Sequence, residues 1–209
     1  MALTILVTGF GPFPGAPFNP TGPLVERLAR LRRPALADIA IVPHIFATSY
    51  AAVDRELPRL ISEYRPNALL MFGLAARTKS LRVETRARNA LALLSDVSGL
   101  SLRRNSILPG GPGALPLPAQ TRPLLAAAQN ARVPIMLSRD AGRYLCNYLC
   151  WRAAEASRNH DVLRLATFVH VPAIPPAIRP RTEKHRLTLD DLTRAGSRIL
   201  LALVAAARR

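Results

Sequence analysis

Apolar positions along the chain follow two rhythms. Short β-branched or Leu-rich runs bounded by Gly, Pro or charge read as buried strands, and longer stretches with apolar residues three and four apart read as helices. Leu3 to Thr8 is such a strand, and Gly9 to Pro23, dense in Gly and Pro, reads as an ordered loop. A helix is predicted over Leu24 to Leu31, a strand over Ile39 to Phe46 and a helix over Ala51 to Tyr64, the last stopped by Arg65-Pro66-Asn67. Ala68 to Phe72 reads as a strand ending at Gly73, and Leu81 to Val83 as an extended piece leading into Glu84. Ser95 to Ala119 holds Pro109 to Gly113 together, then Pro116 and Pro118, and reads as a long loop. Beyond it come a helix (Thr121 to Asn130), a strand (Val133 to Leu137), a helix (Tyr144 to Ser157), a strand (Arg164 to His170) and a final amphipathic helix (Leu189 to Arg208). Strands alternating with helices predict a single-domain three-layer α/β/α sandwich around a mostly parallel central sheet, spanning 1–209.

Composition narrows this little. Hydrophobic residues are 49% of 209, enough for a sizeable core, and no apolar run reaches the roughly 20 residues a membrane span needs. Met1 to Phe10 lacks a basic leader and a small-residue cleavage site, so it reads as a first strand, not a signal peptide, and a cytoplasmic location is expected. The net charge of +16 raises nucleic acid as a partner. Lys79 and Lys184 are the only lysines among 29 basic residues, however, and the arginines are spread along the whole chain with only 5% aromatics between them. That is a solvated, Arg-biased surface rather than a dedicated nucleic-acid face, though it should attract acidic peptides.

The two cysteines, Cys146 and Cys150, are too few for a disulfide framework, and their spacing fits neither a redox motif nor a zinc site. Cys146 sits near the start of its predicted helix, where free N–H groups and the positive end of the dipole favour a thiolate and could hold an oxyanion. Cys150, a turn deeper, reads as a buried thiol. His170 closes an apolar strand at the sheet edge shared with Gly9 and Gly73, which suits a base for Cys146. His160 and His185 lie in polar surroundings, and His44 lies within a strand. Glu84, flanked by Arg82, Arg86 and Arg88, could orient His170 or simply form a surface ion pair, and spacing does not select it over Asp96 or Asp140. No carboxylate cluster or His pair suggests a metal. Phe10 and Phe13 offer two rings on a stiff loop at a strand end, whereas the glycine spacing there rules out a dinucleotide loop.

Four segments, taken together, resemble the pyroglutamyl peptidase I family of cysteine peptidases. They are Thr8-Gly9-Phe10-Gly11-Pro12-Phe13 with Asn19-Pro20, then Gly73 with Glu84 and Asn89, then Asp140 to Asn147, and Phe168-Val169-His170-Val171-Pro172. They occur in the family's order over nearly the whole chain. The resemblance implies removal of N-terminal pyroglutamate from peptides through an acyl-enzyme on Cys146, with His170 as base and Glu84 orienting it. It implies packing of Phe10 and Phe13 on the lactam ring, with Asn19 and Gly73 counted among the substrate-binding residues. It implies no cofactor or metal, and a homo-oligomer, tetramer or dimer. The chain departs from the family pattern at Leu74 to Thr78, at Arg86 and Arg88, and around Pro109 to Pro112, which bears on pocket polarity and leaving-group preference. The alternatives are a related cysteine amidohydrolase acting on another acyl group and a non-catalytic homologue that binds polyanions.

Overall fold

A computed structural model describes residues 3–119, 121–159, 162–175 and 187–209. The readings made above of His160 and His185 fall outside these residues. In chain order the elements are β1 (Leu3–Phe10), α1 (Thr21–Ala29), β2 (Ile39–Phe46), α2 (Tyr50–Tyr64), β3 (Ala68–Leu74), β4 (Leu81–Glu84), β5 (Arg86–Arg88), β6 (Ala114–Pro116), α3 (Thr121–Gln129), β7 (Ile135–Ser138), α4 (Leu145–Asn159), β8 (Leu165–Val171) and α5 (Leu189–Ala207).

Six strands form one sheet in the order β2-β1-β3-β8-β4-β7. Four of its pairings are parallel; the β4–β8 pairing is antiparallel, so β4 and β7 run opposite to the other four strands. Because strand side chains alternate faces, the sheet sorts its residues cleanly. Ile5, Val7, Leu70, Phe72, Val83 and Val169 point into the core under α1, α3 and α5. Leu6, Phe10, Leu69, Met71, Ala166 and Phe168 point into the core under α2 and α4. These are the expected three layers, with buried Leu-, Val- and Ile-rich strands covered on both faces.

Local chemistry explains the element ends. α5 opens on a capping box, with Thr188 and Asp191 exchanging side-chain and backbone bonds. α2 stops at Arg65, whose left-handed φ of 43° precedes Pro66. α1 begins at Thr21, three residues before the expected Leu24, because Pro23 falls in the first turn, where its missing N–H costs nothing. The long loop predicted over Ser95 to Ala119 contains β6, paired antiparallel with β5 in a small second sheet. The rest of that region is held by scattered backbone bonds and by side chains. Asp96 accepts from Ser98 and Leu100 N–H groups and from Tyr50 N–H, so a carboxylate from a distant loop satisfies the start of α2. Asn89 holds both the N–H and the C=O of Leu108.

Candidate active site

β8 delivers the imidazole. Register sets Phe168 directly opposite Glu84 and His170 opposite Arg82. Glu84 and His170 are thus diagonal cross-strand neighbours on one face, within side-chain reach. Glu84 Oε1 lies 2.8 Å from His170 Nδ1. A carboxylate only accepts, so Nδ1–H is the donor and the ring's other nitrogen is left free of this bond. Glu84 is fully buried and His170 is 6% exposed. The surface ion pair with its arginine neighbours that Glu84 could have formed is therefore not what the structure contains. The other two acids are occupied elsewhere: Asp140 pairs with Arg88 at 3.1 Å, and Asp96 caps α2.

α4 delivers the thiol. The turn from β7 passes Gly142 at a φ of 84°, a conformation suited to glycine, and Asp140 Oδ1 accepts the Gly142 N–H. Cys146 is the second residue of α4, ahead of the first intrahelical bond, Tyr148 N–H to Tyr144 C=O. The N–H groups of the first turn, Cys146's own among them, precede that bond and have no partner within the helix. Cys146 is partly exposed, while Cys150 is fully buried. Burial pushes the Cys150 thiol well up, and the nearby charges of Cys146 and Glu84 push it further, as expected of an inert thiol.

The three groups meet around His170. Burial pulls its imidazolium down, but the charge of Cys146, hydrogen bonds with Cys146 and Glu84, and the Glu84 charge outweigh this and raise it to about 9. A raised pKa contributes stability that is whole below about pH 6.5 and lost as pH rises through about 9. Thermal melts across pH 7 to 10 are expected to show this loss, and His170→Gln should flatten it.

Gly73 lies opposite His170 on β3, and a Cβ there would stand 2.7 Å from Cys146 Sγ and 2.5 Å from Phe168 Cζ. The missing side chain leaves the space in which the thiol sits. Gly73→Ala is therefore expected to displace Cys146 and lower turnover by about 10²-fold, since a displacement near 1 Å at a reacting atom has that scale. The protein should still fold, at a cost of about 1–3 kcal/mol by melting. Unchanged turnover would refute the seat assigned to the thiol.

The remaining candidate residues are placed as follows. Phe10 is 3% exposed and packs against Phe46, while Phe13 is partly exposed on a tight Phe13–Ala16 turn. Asn19 is 4% exposed, and its amide is spent within the loop: it donates to Gly11 C=O and accepts from Thr21 N–H and Oγ1. His44 bonds Glu56 at 2.9 Å, away from Cys146. Asn147 went unnoticed in sequence beyond its place in a motif. Its buried amide holds the N–H and C=O of Arg88 and the C=O of Ala90, locking that segment to the start of α4. Nothing local marks it, since its partners lie 57 and 59 residues away.

A partly exposed cysteine at a helix start, an imidazole and a buried carboxylate, on a three-layer α/β/α scaffold, are the parts of a cysteine peptidase. A family model described as pyroglutamyl peptidase matches residues 3–208, and the chain belongs to that family. Pyrrolidone-carboxylate peptidase of Deinococcus radiodurans is 32% identical over 205 residues, covering 92% of this chain and 90% of that protein. Pyrrolidone-carboxylate peptidase 1 of Ralstonia nicotianae is 31% identical, covering 95% and 91%. The crystal structure of pyroglutamyl peptidase I from Bacillus amyloliquefaciens superposes with a TM-score of 0.82 at 27% identity, covering 99% of this chain and 98% of that one. Among the described residues no helix is long and apolar enough to cross a membrane.

Proposed function

We propose that this protein removes pyroglutamate from the N-terminus of peptides, with Cys146 as nucleophile, His170 as base and acid, and Glu84 orienting His170. The observation that carries the reading is the buried His170–Glu84 pair, with Cys146 Sγ seated over Gly73, the residue opposite His170, in a chain of this family. Cys146 sulfur attacks the pyroglutamyl carbonyl carbon, and the free N–H groups at the start of α4 are the donors available to the oxyanion. The imidazolium then protonates the leaving amine as the C–N bond breaks, giving an acyl-enzyme. Water, its proton taken by His170, attacks the thioester and frees pyroglutamate.

Phe13 offers the more accessible ring for packing on the lactam; Phe10 is buried in the core against Phe46. Asn19 acts through the loop it holds, and Gly73 through the space it leaves. The chemistry uses no cofactor or metal. A cytoplasmic setting suits the two unpaired cysteines. A homo-oligomer, dimer or tetramer, suits the exposed Leu93, Leu94, Val97 and Leu100 of one loop.

The test is release of the chromophore from a pyroglutamyl anilide beside prolyl and alanyl anilides. Hydrolysis of the first alone is expected. Turnover of another acyl anilide with none of the pyroglutamyl one would overturn the substrate and leave the nucleophile–base pair standing.

A further inference from the structure

The stretch from Leu74 to Val83 carries three cations, Arg77, Lys79 and Arg82, and no carboxylate. It leaves β3 at the C-terminal tip of β8, where Ala75 N–H donates to Val171 C=O at 2.9 Å, and returns along β8 as β4. Arg77 and Lys79 are exposed on this turn. Arg82 stands directly opposite His170 and, by the alternation of the strand, on the same face as His170 and Glu84.

Arg82 is partly exposed, yet its Nε is buried and has no hydrogen-bond partner among the described residues. A guanidinium keeps its charge at any working pH and presents its donors as a fork that matches a carboxylate. A buried donor without an acceptor is costly, and here it sits beside the imidazole of the site. Among the described residues, the acids weighed for the site are engaged elsewhere. Glu84 holds His170 with one oxygen, and its other oxygen, like Arg82 Nε, has no partner among the described residues. Asp140 is taken by Arg88 and Asp96 by backbone N–H groups.

We infer that Arg82 is a specificity-determining residue that receives a carboxylate of the leaving peptide, so that substrates with a negative charge on the residue after the scissile bond are preferred. The carboxylate comes from an acidic side chain or from the free C-terminus of a dipeptide. Arg77 and Lys79 extend the positive field outward and steer such substrates in. A bound carboxylate also offsets the like charge that Arg82 sets opposite the His170 imidazolium. The inference rests on the pyroglutamyl reading above.

The experiment compares kcat/KM for pyroglutamyl-glutamate amide, pyroglutamyl-glutamine amide, pyroglutamyl-alanine and pyroglutamyl-alanine amide at low salt. At least one charged substrate should exceed its neutral counterpart about tenfold, in keeping with a charge-assisted bond at a partly solvated site. The advantage should shrink as salt is raised. A preference for the glutamate amide identifies the side chain as the source, and one for the free dipeptide identifies the terminus; either supports the inference. In Arg82→Gln the ratio should fall to about one, and in Arg82→Lys, which keeps charge but loses the fork, to an intermediate value. Ratios on one preparation are independent of how much of it is folded, and the salt dependence of the wild-type ratio decides the matter should a variant fail to fold. Equal rates on all four substrates overturn the inference, as does an Arg82→Gln enzyme with the wild-type ratio. A pH profile moved equally for every substrate at constant ratio also overturns it, since Arg82 would then act only on His170. Failure of wild type to cleave any of the four, the neutral ones included, refutes the pyroglutamyl reading instead.

Discussion

Cys146→Ala is expected to abolish turnover of a pyroglutamyl anilide, by at least on the order of 10⁴-fold in kcat/KM, the scale seen when a nucleophile is removed from a group of residues acting as one. The loss should be chemical and not structural. Cys146 is partly exposed at the second position of α4, and removing its sulfur opens no sealed cavity, so the melting temperature should stay within a few degrees. The second thiol cannot take over. Cys150 lies a turn deeper, fully buried, with its thiol pushed well up. Iodoacetamide at neutral pH should therefore label Cys146 alone, and the labelling should parallel the loss of activity. Activity retained in Cys146→Ala would end the proposed mechanism.

Glu84→Gln is expected to lower kcat/KM by on the order of 10³-fold, mostly in kcat, with nearly the same shape kept. The neutral amide can still meet Nδ1, but it no longer favours the imidazolium, and its NH₂ can present a donor where the ring needs an acceptor. The Glu84 bond and charge are among the causes that raise His170 to about 9, so the alkaline limb of the pH–rate profile should move to lower pH in this variant. Cys146→Ala combined with Glu84→Gln should be no worse than Cys146→Ala alone, because the two act through one step. A wild-type limb and rate in Glu84→Gln would remove the orienting role.

These two residues were not equally legible in the sequence. Cys146 and His170 announce themselves locally, one after a small-residue turn ahead of a helix, the other at the tip of an apolar strand. Glu84 does not. Its neighbours Arg82, Arg86 and Arg88 look like a solvated surface, and only the antiparallel pairing of β4 with β8 turns it inward against a partner 86 residues away. The alternating strands and helices were readable because burial on both faces of a sheet imposes long apolar runs. The stretch from Ser95 to Ala119 was not. Its order comes from scattered long-range bonds, such as those of Asp96 to Tyr50 N–H and of Asn89 to Leu108, which leave no periodic trace. The seat of the thiol at Gly73 was equally hidden, since a glycine marks where something comes close without saying what.

The acid and the imidazole come from adjacent strands of one sheet, whereas the sulfur comes from a helix laid across its face. Pairing β4 with β8 is enough to join the acid to the imidazole, but it does not bring the sulfur to them. That requires α4 docked on the sheet with Cys146 in the gap over Gly73. Activity regained on refolding therefore reports that helix–sheet interface, which regained strand content alone does not.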